Sequence, residues 1–89
     1  MEELIFTPTD GKFSASFTSG VINVLQYKMP RQPKMLSIYG SIDTSLEPIL
    51  LKSIPTPPVA TILNIDVPQS IHVKLVCDVN PEQAIVRIS

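Results

Sequence analysis

In the stretch Lys12 to Phe17, written KFSASF, apolar and polar residues alternate strictly. Phe13, Ala15 and Phe17 point one way; Lys12, Ser14 and Ser16 point the other. A period of two is the mark of a half-buried strand. The stretch SIHVKLVC repeats it, with Ile71, Val73, Leu75 and Cys77 inward and His72 and Lys74 outward. In KMLSIYGSI the inner series is Leu36, Ile38, Gly40 and Ile42, and the outer series is Met35, Ser37, Tyr39 and Ser41. In EQAIVRIS, Ala84, Val86 and Ile88 share one face, and Ile85 and Arg87 the other. GVINVLQY and PVATILNID are rich in β-branched residues and read as strands with weaker alternation. EELIF reads as a short leading strand. LEPILLKSI reads either as a strand broken by Pro48 or as one helical turn followed by a strand.

The punctuation between these runs agrees with them. Asp10-Gly11 is a tight-turn pair, and Ser19-Gly20 separates the next two strands. Pro30 and Pro33, then Pro55, Pro57 and Pro58, then Pro68-Gln69-Ser70, then Asn80-Pro81-Glu82 break the remainder. Nine prolines at element ends leave no room for a long helix, because each removes a donor and fixes φ. About seven or eight strands separated by turn signals predict an all-β fold. The inner residues are mid-sized aliphatics with three Phe and no Trp. The expectation is therefore a small antiparallel, immunoglobulin-like β-sandwich over residues 1–89, in one domain.

Composition changes the picture by exclusion. At 44% hydrophobic residues the chain has the makings of a core. No apolar run approaches the ~18–20 residues that cross a bilayer as a helix. The acidic start MEELIFTPTD lacks the basic, long apolar pattern of a secretory signal, and the expectation is a protein made in a cytoplasm. One cysteine allows no internal disulfide. A net charge of −1 gives no general pull toward nucleic acid or an anionic membrane.

Candidate chemistry is sparse. His72 is the sole histidine and alternates away from Cys77, whereas a Cys–His pair needs both groups in one cleft. Cys77 is expected to be buried and inert. Asp78 and Glu82 are the only oxygen ligands in DVNPE, short of a metal set, and Gly11, Gly20 and Gly40 are too scattered for a phosphate loop. Asp43 and Asp66 read as turn residues that bond their own backbone. No catalytic set, cofactor site or metal site is expected. The stretch YKMPRQPK carries Lys28, Arg31 and Lys34, three of the seven Lys+Arg. It lacks aromatic interleaving for nucleic acid, and its P-R-Q-P is pinned between strands, unlike a polyproline ligand. It reads as a loop whose charge is available to a protein partner. The other surplus is apolar: Met35, Tyr39, Val76, Ile85 and Leu50 or Leu51 fall on outward faces. The expected partner contacts are Lys28, Arg31, Lys34, Met35, Tyr39 and Ile85, helped by the extended SIPTPPVA.

The runs FSASFTSGVINV, KMLSIYGSID and IHVKLVCDVNPEQAIVRIS resemble small β-sandwich accessory proteins of tailed-phage virions. They are similar to the capsid-decorating proteins of crAss-like phages. They also resemble bacterial immunoglobulin-like modules, but without the Cys…Trp…Cys pattern of antibody-type domains. The virion resemblance implies a non-enzymatic auxiliary protein, bound to a capsid protein or to further copies of itself and located in the virion. Two other classes stay open. One is a carbohydrate- or peptide-binding module, for which Tyr27 and Tyr39 are the available polar aromatics. The other is an enzyme or an oligonucleotide-binding barrel.

Overall fold

The computed structural model describes residues 1–30, 34–56 and 60–89, and within them the chain is all strand and connection. Arg31, Pro33, Pro57 and Pro58 lie outside the described residues, as does the side chain of Lys34. The strands are β1 (Glu2–Glu3), β2 (Thr7–Thr9), β3 (Lys12–Thr18), β4 (Asn23–Lys28), β5 (Lys34–Ser41), β6 (Ile49–Thr56), β7 (Thr61–Asn64), β8 (His72–Cys77) and β9 (Gln83–Ile88). They form two antiparallel sheets packed face to face. One has the order β1-β9-β4-β7 and the other β2-β3-β8-β5-β6. The chain changes sheets at every connection except the β2–β3 and β5–β6 hairpins. The expected antiparallel β-sandwich is the observed fold.

The alternation decides which side chains meet between the sheets. Ala15, Phe17, Leu36, Ile38, Val73, Leu75 and Cys77 come from the five-stranded sheet, and Leu25, Tyr27, Ala84 and Val86 from the four-stranded one. All are buried, and Leu75 and Val86 are sealed from solvent. Burying a Leu- or Val-sized side chain stabilises by roughly 1.5–3 kcal/mol, so this layer holds the sandwich together. The β2–β3 hairpin closes at Asp10-Gly11, with φ of 52° and 79°. Thr9 pairs with Lys12 across these two residues, the positive-φ pair of a type I′ turn.

Three expectations are corrected. EELIF is not one strand: Glu2–Glu3 joins the four-stranded sheet, and Thr7–Thr9 joins the other. Leu4 and Phe6 are buried between them, so the segment bridges the two sheets. Ile42 does not continue the inner series of β5. The strand ends at Ser41, the chain turns, and Ile42 is 77% exposed. Tyr27 is not an available surface aromatic. It lies inward on β4 at 2% exposure; burial raises its pKa, while a hydrogen bond with the Thr61 side chain opposes the rise.

Two buried polar residues tie connections to the sheets. Asn23 Oδ1 accepts from the Gly20 N–H at 2.8 Å, and its Nδ2 donates to the Gly20 carbonyl at 3.1 Å. Ser19 Oγ donates to the Pro68 carbonyl at 2.7 Å and accepts from the Ile71 N–H at 3.0 Å. The Ser19 carbonyl also accepts from Ser70, which sits at a positive φ of 61°. Ser19 thereby anchors the whole β7–β8 connection at its Pro68–Ile71 end.

Candidate functional site

The β5–β6 loop, residues 42–48, is built by local hydrogen bonds. Asp43 Oδ1 accepts from the Ser45 N–H at 2.9 Å, and the Asp43 carbonyl accepts from the Leu46 N–H at 3.1 Å. The bonds from Ser45 hold the Asp43 carboxyl below the ordinary aspartate range. Asp43 thus acts as the turn residue expected of it. Beyond this turn, β6 follows immediately after Pro48 and pairs with β5 through a bulge. Ile38 lies opposite Lys52, yet Tyr39 lies opposite Leu50, which leaves Leu51 as the extra residue.

The bulge has a consequence at Gly40. A Cβ there would come within 2.8 Å of both Leu51 Cδ1 and Ile71 Cδ1. Glycine therefore lets two aliphatic side chains close over the backbone of β5. Around this point opens an apolar cleft of about 500 Å³. It is lined by Gly40 and Ile42, by Leu46 of the loop, by Ile49 and Leu51 of β6, and by Pro68 and Ile71 of the β7–β8 connection. Glu47 is the charged residue among its described lining. Ile49 is 67% exposed and Leu46 51%. Clustered exposed aliphatics of this kind mark interaction surfaces, whereas the same residues scattered singly would not.

Of the residues expected to contact a partner, the described ones fall on two opposite faces. Met35, Tyr39 and Val76 do share a surface, the outer face of the five-stranded sheet, because they alternate with buried Leu36, Ile38, Leu75 and Cys77. Ile85 alternates with buried Ala84 and Val86 on β9, so it faces outward from the opposite sheet. One flat partner cannot cover both. Lys28 ends β4 on that second face and forms a 3.3 Å salt bridge with Glu82. Both side chains of this pair are about half exposed, so it is a surface pair of small energy. Lys34 begins β5. Leu50 lies opposite Tyr39 on the outer face, whereas Leu51 lines the cleft. The sequence reading missed Leu46 and Ile49 and misplaced Ile42. The signal available was the run of three aliphatics Ile49-Leu50-Leu51 directly after a proline, with no polar alternation.

Cys77 is buried as expected, with Sγ 3.8 Å from Met29 Sδ, and burial raises its thiol pKa. A thiol so placed carries little thiolate at neutral pH. His72 is exposed on the outer side of the same strand. The two do not form a pair. No group of three or more potential metal ligands, and no helix long and apolar enough to cross a membrane, occurs among the described residues.

No protein-family model, curated protein or solved structure matches this chain.

Proposed function

We propose that the protein is a non-enzymatic assembly module that docks onto other protein subunits through its apolar end. The observation that carries this reading is the cleft around Gly40 with its exposed aliphatic rim. Ile42, Leu46, Ile49 and Leu51 come from one contiguous hairpin, and together they offer one surface of a single character. An aliphatic or aromatic side chain of a partner seated there would remove both surfaces from water, at roughly 25 cal/mol per Å². The cleft wall is fixed in advance by the Ser19 bonds, and the loop by Asp43, so docking orders little new chain.

The setting we favour is the one the sequence resemblance implies, an auxiliary protein decorating a phage capsid shell. The free edge of β6 does not suit strand addition, because Pro48 precedes the strand and Pro55 interrupts its donors. Side-chain contacts are therefore the proposed mode. The test is co-sedimentation with assembled shells whose capsid gene neighbours this one. Wild type should pellet with the shells, and the double variant Leu46→Glu, Ile49→Glu should stay in the supernatant with an unchanged circular-dichroism spectrum. Both positions are more than half exposed, so the fold tolerates the charges. Equal pelleting of the two proteins, or failure of wild type to pellet, would remove the reading.

A further inference from the structure

The outer face of the five-stranded sheet carries a second concavity with a different chemistry. Strand register arranges its side chains in rows. Ser16, Lys74 and Tyr39 lie side by side across β3, β8 and β5, and Thr18, His72 and Ser41 form the next row. The β5–β6 loop borders these rows and closes a groove of about 370 Å³, within the size range of small-ligand sites. Hydroxyls of Ser16, Thr18, Ser41 and Thr44 line it, together with His72 and Lys74. We propose that this groove binds a carboxylate-bearing saccharide. The proposal does not rest on the assembly reading, and either can fail alone.

Charge is the first argument. No carboxylate lines the groove. The nearby Asp43 carboxylate is held by Ser45 and faces His72, which leaves Lys74 as the groove's cation without an acidic partner. Lys12 and Lys28 have acidic partners in Asp78 and Glu82, but Lys74 has none among the described residues, although it is half-buried. Lys74 also lines the adjoining cavity with Asp10 and Glu47, neither of which forms a salt bridge with it, so its ammonium can still take an incoming carboxylate, and such charge-assisted bonds are about twice as strong as neutral ones.

Hydroxyl supply is the second. None of the four groove hydroxyls bonds to another described residue. Each can both donate and accept, which suits a sugar ring whose own hydroxyls do the same. The third argument separates a saccharide from a peptide. β8 is the central strand, paired on one side with β3 and on the other with β5. Its backbone is spent, so no peptide can add there as a strand, and recognition falls to side chains alone. Leu46 and Pro48 at the loop side supply apolar contact for the C–H face of a ring.

The experiment is an amide NMR titration of the intact protein with trigalacturonate, maltotriose and triglutamate. Shift changes should concentrate at residues 16–18, 41–44 and 72–74 on adding trigalacturonate, with a Kd below about 1 mM. Maltotriose should bind at least tenfold more weakly. Lys74→Ala should weaken trigalacturonate by about tenfold, the loss expected for one charge-assisted contact. Thr44→Val, on the exposed loop, should weaken it less and provides a second variant if Lys74→Ala alters the fold. Absence of localised shifts, equal binding of maltotriose, or unchanged affinity in both variants would overturn the proposal. Tighter binding of triglutamate would also overturn it and would assign the groove to an acidic polypeptide.

Discussion

The loop at residues 42–48 borders two concave surfaces that share Ser41 and Leu46 but differ in the polar groups they present. On one side, Gly40, Leu51, Ile71 and Ile49 make a cleft of aliphatic surface. On the other, Ser16, Thr18, His72 and Lys74 bring hydroxyls and cationic or imidazole groups to a groove also lined by Phe17, Val73, Leu46 and Pro48. Strand β5 builds both: Gly40 faces the cleft, and its neighbour Ser41 faces the groove as well as touching the cleft. The alternation that makes a sandwich also lets one strand serve two chemistries on its two sides. What separates the regions further is how they are held. The cleft leans on long-range bonds from Ser19 to Pro68 and Ile71, 49 and 52 residues away in sequence. The groove's floor is a direct product of sheet register, and its side is the β5–β6 loop, held by the local bonds of Asp43 rather than by long-range ones.

The comparison can be broken most forcefully at Ser19. Ser19→Ala removes a buried hydroxyl that serves the Pro68 carbonyl and the Ile71 N–H, and leaves both without it. We expect a loss of about 1–3 kcal/mol of unfolding free energy, read from urea denaturation. Amide exchange should quicken in residues 67–71 and stay unchanged in β3 residues 12–16. A uniform change across the chain would show that the cleft is not separately supported.

Gly40→Ala comes next. Its Cβ would press on Leu51 and Ile71, both of which approach within 2.8 Å through terminal methyl carbons. The side chains can shift, because Leu51 is 44% exposed, so the cost should lie at the low end of overpacking, about 1 kcal/mol. Docking through the cleft should weaken, and titration of the polar groove should not change. Equal loss at both surfaces would contradict their independence.

The smallest effect belongs to the second face. Lys28→Ala breaks a solvent-exposed pair with Glu82 and should cost no more than about 0.5 kcal/mol by thermal or urea unfolding. It should leave lattice binding intact. A large loss of binding would return weight to the basic loop as a docking element.

The strands with one buried face were legible in the sequence. KFSASF and SIHVKLVC show their inner and outer residues because the core demands strict alternation there. Cys77 and His72 were assigned correctly for the same reason. The candidate sites were not legible. β6 is an edge strand with both sides largely exposed, so nothing forces Ile49, Leu50 and Leu51 into an alternating pattern. The bulge that sends Leu51 toward Gly40 leaves no mark in composition. Tyr39 and Ile85 looked equivalent as outward apolar residues, and the order of strands in the two sheets places them on opposite faces. That order is a property of long-range pairing, which local pattern does not encode. The Ser19 anchor was equally hidden, because a serine before a glycine reads first as a turn.

The claim that the apolar end is the docking surface is tested most directly by amide hydrogen exchange of the protein free and bound to the capsid shell proposed as its partner. Protection on binding should fall on residues 42–51 and 68–71, with little change at Gln26, Ile62 and Ile85 on the outer face of the four-stranded sheet. Protection centred on that opposite face, with the segment 42–51 exchanging as fast as in the free protein, would contradict the claim.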